Sequence, residues 1–155
     1  MGLLDGRPYE IFTGRAEDIF MLPPYVTRGW VIKEKHEDGT NRYDFQFKDK
    51  DGYNITMEGL SRSFDKEYWN YAKLISGTLR HGMPLNYVIN LVSGLNVEQE
   101  HINTWKNGVV RALKKFVPDG TKAIKEACPS CSDPDGLIYK EGCLTCKSCG
   151  YSKCG

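Results

Sequence analysis

Apolar and polar residues alternate in three short runs early in the chain: Trp30-Val-Ile-Lys-Glu-Lys35, Arg42-Tyr-Asp-Phe-Gln-Phe47 and Tyr53-Asn-Ile-Thr-Met57. A period of two marks a strand with one face buried. The runs are separated by Glu37-Asp-Gly39 and Lys50-Asp-Gly52, and Asp-Gly supplies the positive φ angles of tight hairpins. An antiparallel meander is predicted, with Tyr9-Glu-Ile-Phe12 as a short earlier strand. Lys33, Lys35, Asp44, Gln46 and Lys48 are assigned to its solvent face. Val31, Tyr43, Phe45 and Phe47 are assigned to the face that needs a cover.

The period then lengthens. Tyr68, Tyr71, Ala72, Ile75 and Leu79 recur at helical spacing, with Ser63 placed to cap the helix and His81-Gly82 to end it before Pro84. A second helix from Pro84 to about Ser93 carries Leu85, Val88, Ile89 and Val92 and stops at Gly94. A third begins near Asn96, carries Ile102, Trp105, Val109, Leu113 and Phe116, and ends at Pro118-Asp-Gly120. Strands followed by helices give an α+β fold: an antiparallel β-meander covered by about three helices, then a small C-terminal zinc ribbon. The expected division is an α+β domain over 1–118, a linker over 119–127 and a cysteine-rich module over 128–155.

Composition narrows the function classes. The chain has 155 residues with 40% hydrophobic and 12% aromatic content, enough for a real core. Its net charge of +1 creates no global field toward nucleic acid or membrane. No apolar run approaches the roughly 18 residues that span a bilayer, and Met1-Gly-Leu-Leu-Asp-Gly6 lacks the regions of a signal peptide. The expected location is cytoplasmic. In a reducing compartment clustered cysteines read as metal-binding or redox-active.

All 6 cysteines fall in the C-terminal module: Cys128, Cys131, Cys143, Cys146, Cys149 and Cys154. Two C-x2-C pairs separated by a short turn and strand are the signal of a zinc ribbon, with one zinc ion held by four thiolates. The metal would supply most of the module's folding free energy, on the order of 10 kcal/mol. The second pair has two registers. Either Cys143 and Cys146 bind, leaving Cys149 and Cys154, or Cys146 and Cys149 bind, leaving Cys143 and Cys154. The second is favoured, because Gly150 after Cys149 can take the positive φ that closes a metal knuckle. The metal set is then Cys128, Cys131, Cys146 and Cys149. Cys154 is spare in both registers. With Lys153 beside it to favour the thiolate, it is a candidate for disulfide exchange from a flexible tail.

The closing segment, Glu141-Gly-Cys-Leu-Thr-Cys-Lys-Ser-Cys-Gly-Tyr-Ser-Lys-Cys-Gly155, resembles the extreme C-terminus of adenosylcobalamin-dependent (class II) ribonucleotide reductases. Leu74-Ile-Ser-Gly-Thr-Leu-Arg-His-Gly82 with Pro84-Leu-Asn-Tyr-Val-Ile-Asn-Leu-Val-Ser-Gly-Leu95, and Gly6-Arg-Pro-Tyr-Glu-Ile-Phe12, resemble the domain before that tail. The resemblance implies an accessory part of a vitamin B12-dependent ribonucleoside-diphosphate reductase. Such a part delivers reducing equivalents to the active-site disulfide during deoxyribonucleotide synthesis. It implies Cys143 and Cys154 as the redox shuttle, with Cys149 replacing Cys143 in the other register. The Cys149-x4-Cys154 spacing matches the tail pair of class I reductases and speaks for that other register. The implied partners are the catalytic barrel and a dithiol reductant. Adenosylcobalamin would sit in the barrel, not here. No residues for a barrel, a cobalamin site or a nucleotide site are present, so the chain is expected to be a fragment or separate subunit without catalysis of its own. Homo-oligomerisation stays open.

Two other readings compete. One is a non-enzymatic zinc-ribbon module binding nucleic acid or protein through Lys106, Arg111, Lys114, Lys115, Lys122 and Lys125; a solvated helix face is the simpler account of those charges. The other is a structural oligomerisation domain. His36, His81 and His101 lack ligand spacing, and Asp65, Glu67, Glu98 and Glu100 read as helix first-turn charges.

Overall fold

Tight turns lay out the strands. In the computed structural model, which describes residues 1–14, 21–97 and 104–154, Asp5 and Gly6 take φ of 51° and 77°. They join β1 (Gly2–Leu4) to β2 (Arg7–Glu10) in an antiparallel hairpin. Strands β3 (Trp30–Lys35), β4 (Asn41–Lys48) and β5 (Asn54–Met57) form the meander, in that spatial order. Asp38 and Asp49 shape its loops by accepting the N–H groups of Thr40 and Tyr53, both at 2.8 Å.

One face of the meander departs from its assignment. Asp44 is buried, at 2% exposure, and not on the solvent side. Its carboxylate accepts the Gly59 N–H at 2.8 Å and the Arg42 guanidinium at 3.0 Å. A carboxylate leaves water only with such partners, and strand alternation does not reveal them.

Helix α1 (Lys66–Arg80) is capped by Asp65, which accepts the Glu67 N–H at 2.9 Å. Ser63 instead closes a 3-10 turn over Leu60–Arg62. Helix α2 (Leu85–Ser93) runs from Pro84 to Gly94. Helix α3 (Trp105–Lys114) starts at its cap Thr104; Asn96 is not helical, and Glu98, Glu100, His101 and Ile102 lie outside the described residues. Past the end of α3 it is Val117, not Phe116, that is buried.

The main core is built by Ile11, Ala72, Ile75 and Leu79 of β2's end and α1, by Val88 and Val92 of α2, and by Val109 and Leu113 of α3. Ser76 satisfies itself inside it, donating to the Ala72 carbonyl and accepting the Ile11 N–H at 3.0 Å. The meander touches this core at one end: Tyr43 of β4 meets Phe12 and Trp69 of α1, at 5.5 and 6.1 Å between ring centres. Helices α2 and α3 pack on each other and, instead of the meander, on the C-terminal sheet, whose Tyr139 and Leu144 complete the core.

That sheet holds β6 (Leu137–Lys140), β7 (Cys143–Cys146) and β8 (Ser152–Lys153), all antiparallel in that order. The segment before it is not loose. Gly120 donates to Tyr139 at 2.8 Å, Tyr139 to Thr121 at 2.9 Å, and Ala123 to Leu137 at 3.0 Å. The fold is therefore α+β, with three α-helices among the described residues and antiparallel sheets.

Candidate metal centre and adjoining disulfide

Two C-x2-C turns close in the same way. The N–H of Ser132 donates to the Cys128 carbonyl at 2.8 Å, and that of Gly150 to the Cys146 carbonyl at 3.0 Å. Each donor is the residue after the second cysteine of its pair, and each has positive φ, 59° at Ser132 and 74° at Gly150. The left-handed step turns the chain back so that both sulfurs point the same way. Gly150 takes that step without strain. Ser132, a non-glycine, carries no such signal in the sequence, where only the second turn has the expected residue.

The turns face one another. The sulfurs of Cys128, Cys131, Cys146 and Cys149 all lie within 4.8 Å of one another. Cys128 Sγ is 3.6 Å from Cys149 Sγ, and Cys131 Sγ is 3.7 Å from Cys146 Sγ. Four thiolates each about 2.3 Å from a tetrahedral ion sit about 3.8 Å apart, so the donor set has the size and chemistry of a metal site. Four cysteines held this closely can bind a metal ion. The Asp133 N–H favours the Cys131 thiolate, yet desolvation and the thiols of Cys149, Cys128 and Cys146 push its pKa up to about 12.

Supporting groups tie the turns together. Asp133 accepts the Ser148 hydroxyl from the opposite turn and the Asp135 N–H at 2.9 Å, and its own carbonyl accepts the Cys128 N–H at 2.9 Å. The Ser148 bond first, then the Asp135 N–H, hold the Asp133 carboxyl below the usual range. Gly136 lets β6 pass the sulfurs: a Cβ there would sit 2.8 Å from Cys146 Sγ and from the Asp133 carboxylate. In the sequence Asp133-Pro-Asp-Gly136 reads as a turn, and Ser148 is one of the two residues between Cys146 and Cys149. Nothing in one sequence distinguishes a turn aspartate from one that bridges two knuckles.

The remaining two cysteines, Cys143 and Cys154, are joined as a disulfide, with Cα atoms 4.4 Å apart. Cys143 begins β7 and is half-buried; Cys154 follows β8 and is exposed. The structure thus groups Cys146 and Cys149 with Cys128 and Cys131, and Cys143 with Cys154. The end of the chain is not a free arm here. Ser152 and Lys153 pair with Thr145 and Leu144, and Tyr151 packs against Cys128, Leu137 and Cys146. The other candidates stay apart from this centre: His36 is exposed in the β3–β4 loop, and His81 caps the C-terminus of α1. No helix among the described residues is long and apolar enough to cross a membrane.

Residues 1–118 match the model of a family described as the NrdJ homologue C-terminal domain. The match ends before Cys128, so it covers the helical domain and not the cysteine module. No curated protein and no solved structure matches the chain.

Proposed function

This chain belongs to the NrdJ homologue C-terminal domain family, a ribonucleotide reductase-related domain, and from that membership we propose that it relays electrons to a vitamin B12-dependent ribonucleotide reductase. The observation that carries the reading is the partition of six sulfurs into a compact tetrad and a separate cross-strand pair. A tetrad alone would be a staple. A second, exposed disulfide beside it gives the staple something to position.

In this reading Cys128, Cys131, Cys146 and Cys149 hold one zinc ion in a zinc ribbon. Bound zinc supplies folding free energy to a module with little core of its own. Cys143 and Cys154 form the shuttle. A dithiol reductant opens their disulfide, leaving two thiols. The Cys154 thiolate then attacks the disulfide of the partner's active site, and Cys143 resolves the mixed disulfide, so two electrons pass on and the cross-strand bond reforms. Opening the bond leaves β8 held by two residue pairs, few enough for the tail to detach and reach. The chain contributes the relay. The catalytic barrel, with its adenosylcobalamin, belongs to the partner, and a reducing cytoplasm suits the cycle.

The test is Cys154→Ser in the reductase that this chain serves. Turnover driven by a protein dithiol should fall by at least about tenfold, while turnover driven by dithiothreitol, which reaches the active site directly, should persist. Equal loss with both reductants, or no loss with either, would sink the relay.

A further inference from the structure

Strand alternation decides which face of the C-terminal sheet carries the disulfide. Leu144 is buried against the helices, and its partner Lys153 lines with it the groove between the sheet and α3. Successive side chains of a strand point to opposite faces. Cys143 and Cys154, each next in the chain to one of these two residues, therefore point away from the helices. Thr145 and Ser152 share that outer face, their hydroxyls 3.5 Å apart. Lys153, the sequence neighbour of Cys154, is thus turned from the sulfurs, contrary to the expectation that it favours the thiolate. A different cation stands beside them. Lys140 of β6 is the direct cross-strand partner of Cys143, and such partners share a face with Cβ atoms about 4.5–5.5 Å apart.

Few other charges surround Cys143. From β8 the facing residue is Cys154 itself. Lys122, bridged to Ile138 on the same face, is 3.4 Å from the Asp135 carboxylate. At the β6–β7 turn Glu141 is exposed, and Asp119 accepts its N–H at 2.8 Å. The end of α3 packs behind that turn: the Lys114 carbonyl and the Lys115 Cα lie 3.6 Å from a Cβ built on Gly142. The side chains of Lys114 and Glu126 line the groove on the far face. Lys140 forms no ion pair among the described residues, so its ammonium group is available to a thiolate across the strand. We propose that Lys140 is a positioning residue for the relay: it favours the Cys143 thiolate, which makes Cys154 the sulfur that is attacked and that attacks.

This role rests on the relay reading above and gives the two sulfurs their order. Exchange is faster when the departing sulfur leaves as a stabilised thiolate. A thiolate of the dithiol reductant attacks Cys154 Sγ. The Cys143–Cys154 bond breaks as the new S–S bond forms, and the electron pair departs on Cys143, beside Lys140. The reductant's second thiolate then attacks its own sulfur in the mixed disulfide and releases Cys154, which takes a proton from solvent. The reductant leaves oxidised, and two electrons have passed to this chain. Lys140 keeps its place when the tail lifts, because four residue pairs join β6 to β7 whereas two join β8. Cys143 therefore meets the later mixed disulfide, between Cys154 and the partner, with the same cation at its side.

The experiment uses the full, metal-loaded chain with its disulfide reduced. Alkylation by iodoacetamide is followed from about pH 6 to about pH 10, with Cys143 and Cys154 resolved by peptide mass spectrometry. Exposed charge pairs are modest in water, so Lys140→Gln should slow alkylation of Cys143 at neutral pH about threefold. It should also raise the midpoint of the Cys143 pH profile and leave that of Cys154 unchanged. Lys140→Arg should restore both, and added salt should shrink the difference between parent and Lys140→Gln. Lys153→Gln, on the far face, and Lys115→Gln, behind the turn, should leave Cys143 as it is. A Cys143 midpoint indifferent to Lys140→Gln, or moved equally by Lys153→Gln or Lys115→Gln, would overturn the role of Lys140. So would failure of Lys140→Arg to restore the rate, which marks a packing role. An unmoved midpoint with the Cys154→Ser effect on turnover intact removes Lys140 alone. A shifted midpoint with no effect of Cys154→Ser on turnover removes the relay instead.

Discussion

Cys143 stands directly across the β7–β8 ladder from Cys154. The register Thr145–Ser152, Leu144–Lys153, continued by one step, pairs the two cysteines, and their Cα atoms are 4.4 Å apart. That is close to the spacing of a non-hydrogen-bonded antiparallel pair, about 4.5 Å. The strand pairing and the disulfide therefore reinforce each other, and the same β7 carries Cys146 of the tetrad at its other end. One end of the disulfide and one cysteine of the tetrad share one four-residue strand.

Reduction should loosen β8 without dismantling the tetrad. In the oxidised, zinc-loaded chain no thiol should react with an alkylating reagent; after mild reduction two should, at Cys143 and Cys154, with zinc retained. Backbone amides of 152–154 should exchange with deuterium faster, while those of 137–140 keep their protection. The disulfide closes a loop of 11 residues in sequence separation, so its loss should lower stability by about 2–3 kcal/mol, less where zinc already restrains the chain. Zinc release on reduction would show that the two sites are one.

Gly136 should be intolerant of a side chain. Its missing Cβ leaves room for Cys146 Sγ and for the Asp133 carboxylate, both 2.8 Å from where that carbon would lie. Both neighbours are held, the sulfur by the tetrad and the carboxylate by Ser148, so neither can yield freely. Gly136→Ala should weaken metal affinity at least about tenfold, the scale seen when supporting groups of a metal site are disturbed. Competition with a chromogenic chelator measures it. Gly77 is the control, a helical glycine with open space at its Cβ position; alanine there should stabilise the fold by about 0.5–1 kcal/mol and leave affinity unchanged.

Much of this arrangement was legible from spacing. The meander strands lie within about a residue of their expected bounds, because alternation and Asp-Gly turns act locally. Helices α1 and α2 end beside Gly82 and Gly94, as expected, whereas α3 stops at Lys114, short of the expected Pro118-Asp-Gly120. What stayed hidden depends on distant partners. Hairpin β1–β2 carries an Asp5-Gly6 signal as good as the two that were read, but its strands are too short for alternation to register. Strand β7 hides in Cys-Leu-Thr-Cys, where cysteines read as ligands and not as strand formers, and its turn is the less expected Glu141-Gly142, with φ of 51° and 76°. That the helices cover the cysteine module more than the meander follows from Tyr139 and Leu144 joining their core, a long-range fact no local window contains.

Asp44 should be costly to remove. It is the acceptor for the Gly59 N–H at 2.8 Å in a buried setting, and Gly59 itself, at φ 70°, begins the turn that leads into Leu60. Asp44→Ala leaves that N–H without its partner, and the loss should be about 2–3 kcal/mol in denaturant unfolding. Asp44→Asn keeps an acceptor for Gly59 and should recover part of it. An alanine variant as stable as the parent would show that water replaces the carboxylate.

Tyr139 sets an alkaline limit. It lies in the core shared by the helices and the C-terminal sheet, and burial first, with Glu126 adding to it, pushes its pKa up to about 12. An unfolded tyrosine ionises near about pH 10. The folded state therefore favours the neutral phenol, and the unfolded chain gives up its proton first. The linkage contribution of Tyr139 is fully present below about pH 10 and is lost as pH rises from there through about 12. Stability measured by denaturant in the reduced, zinc-loaded chain should fall across that window, and Tyr139→Phe, which has no proton to lose, should fall less. The ultraviolet titration of tyrosinate should show a phenol ionising near about pH 12 that is absent from the phenylalanine variant, while Tyr71, whose pKa is raised by its hydrogen bond to Glu67, titrates late in both. If the variant and the parent lose stability in parallel, the packing of β6 against the helices does not control the alkaline transition, and the shared core is looser at Tyr139 than its burial indicates.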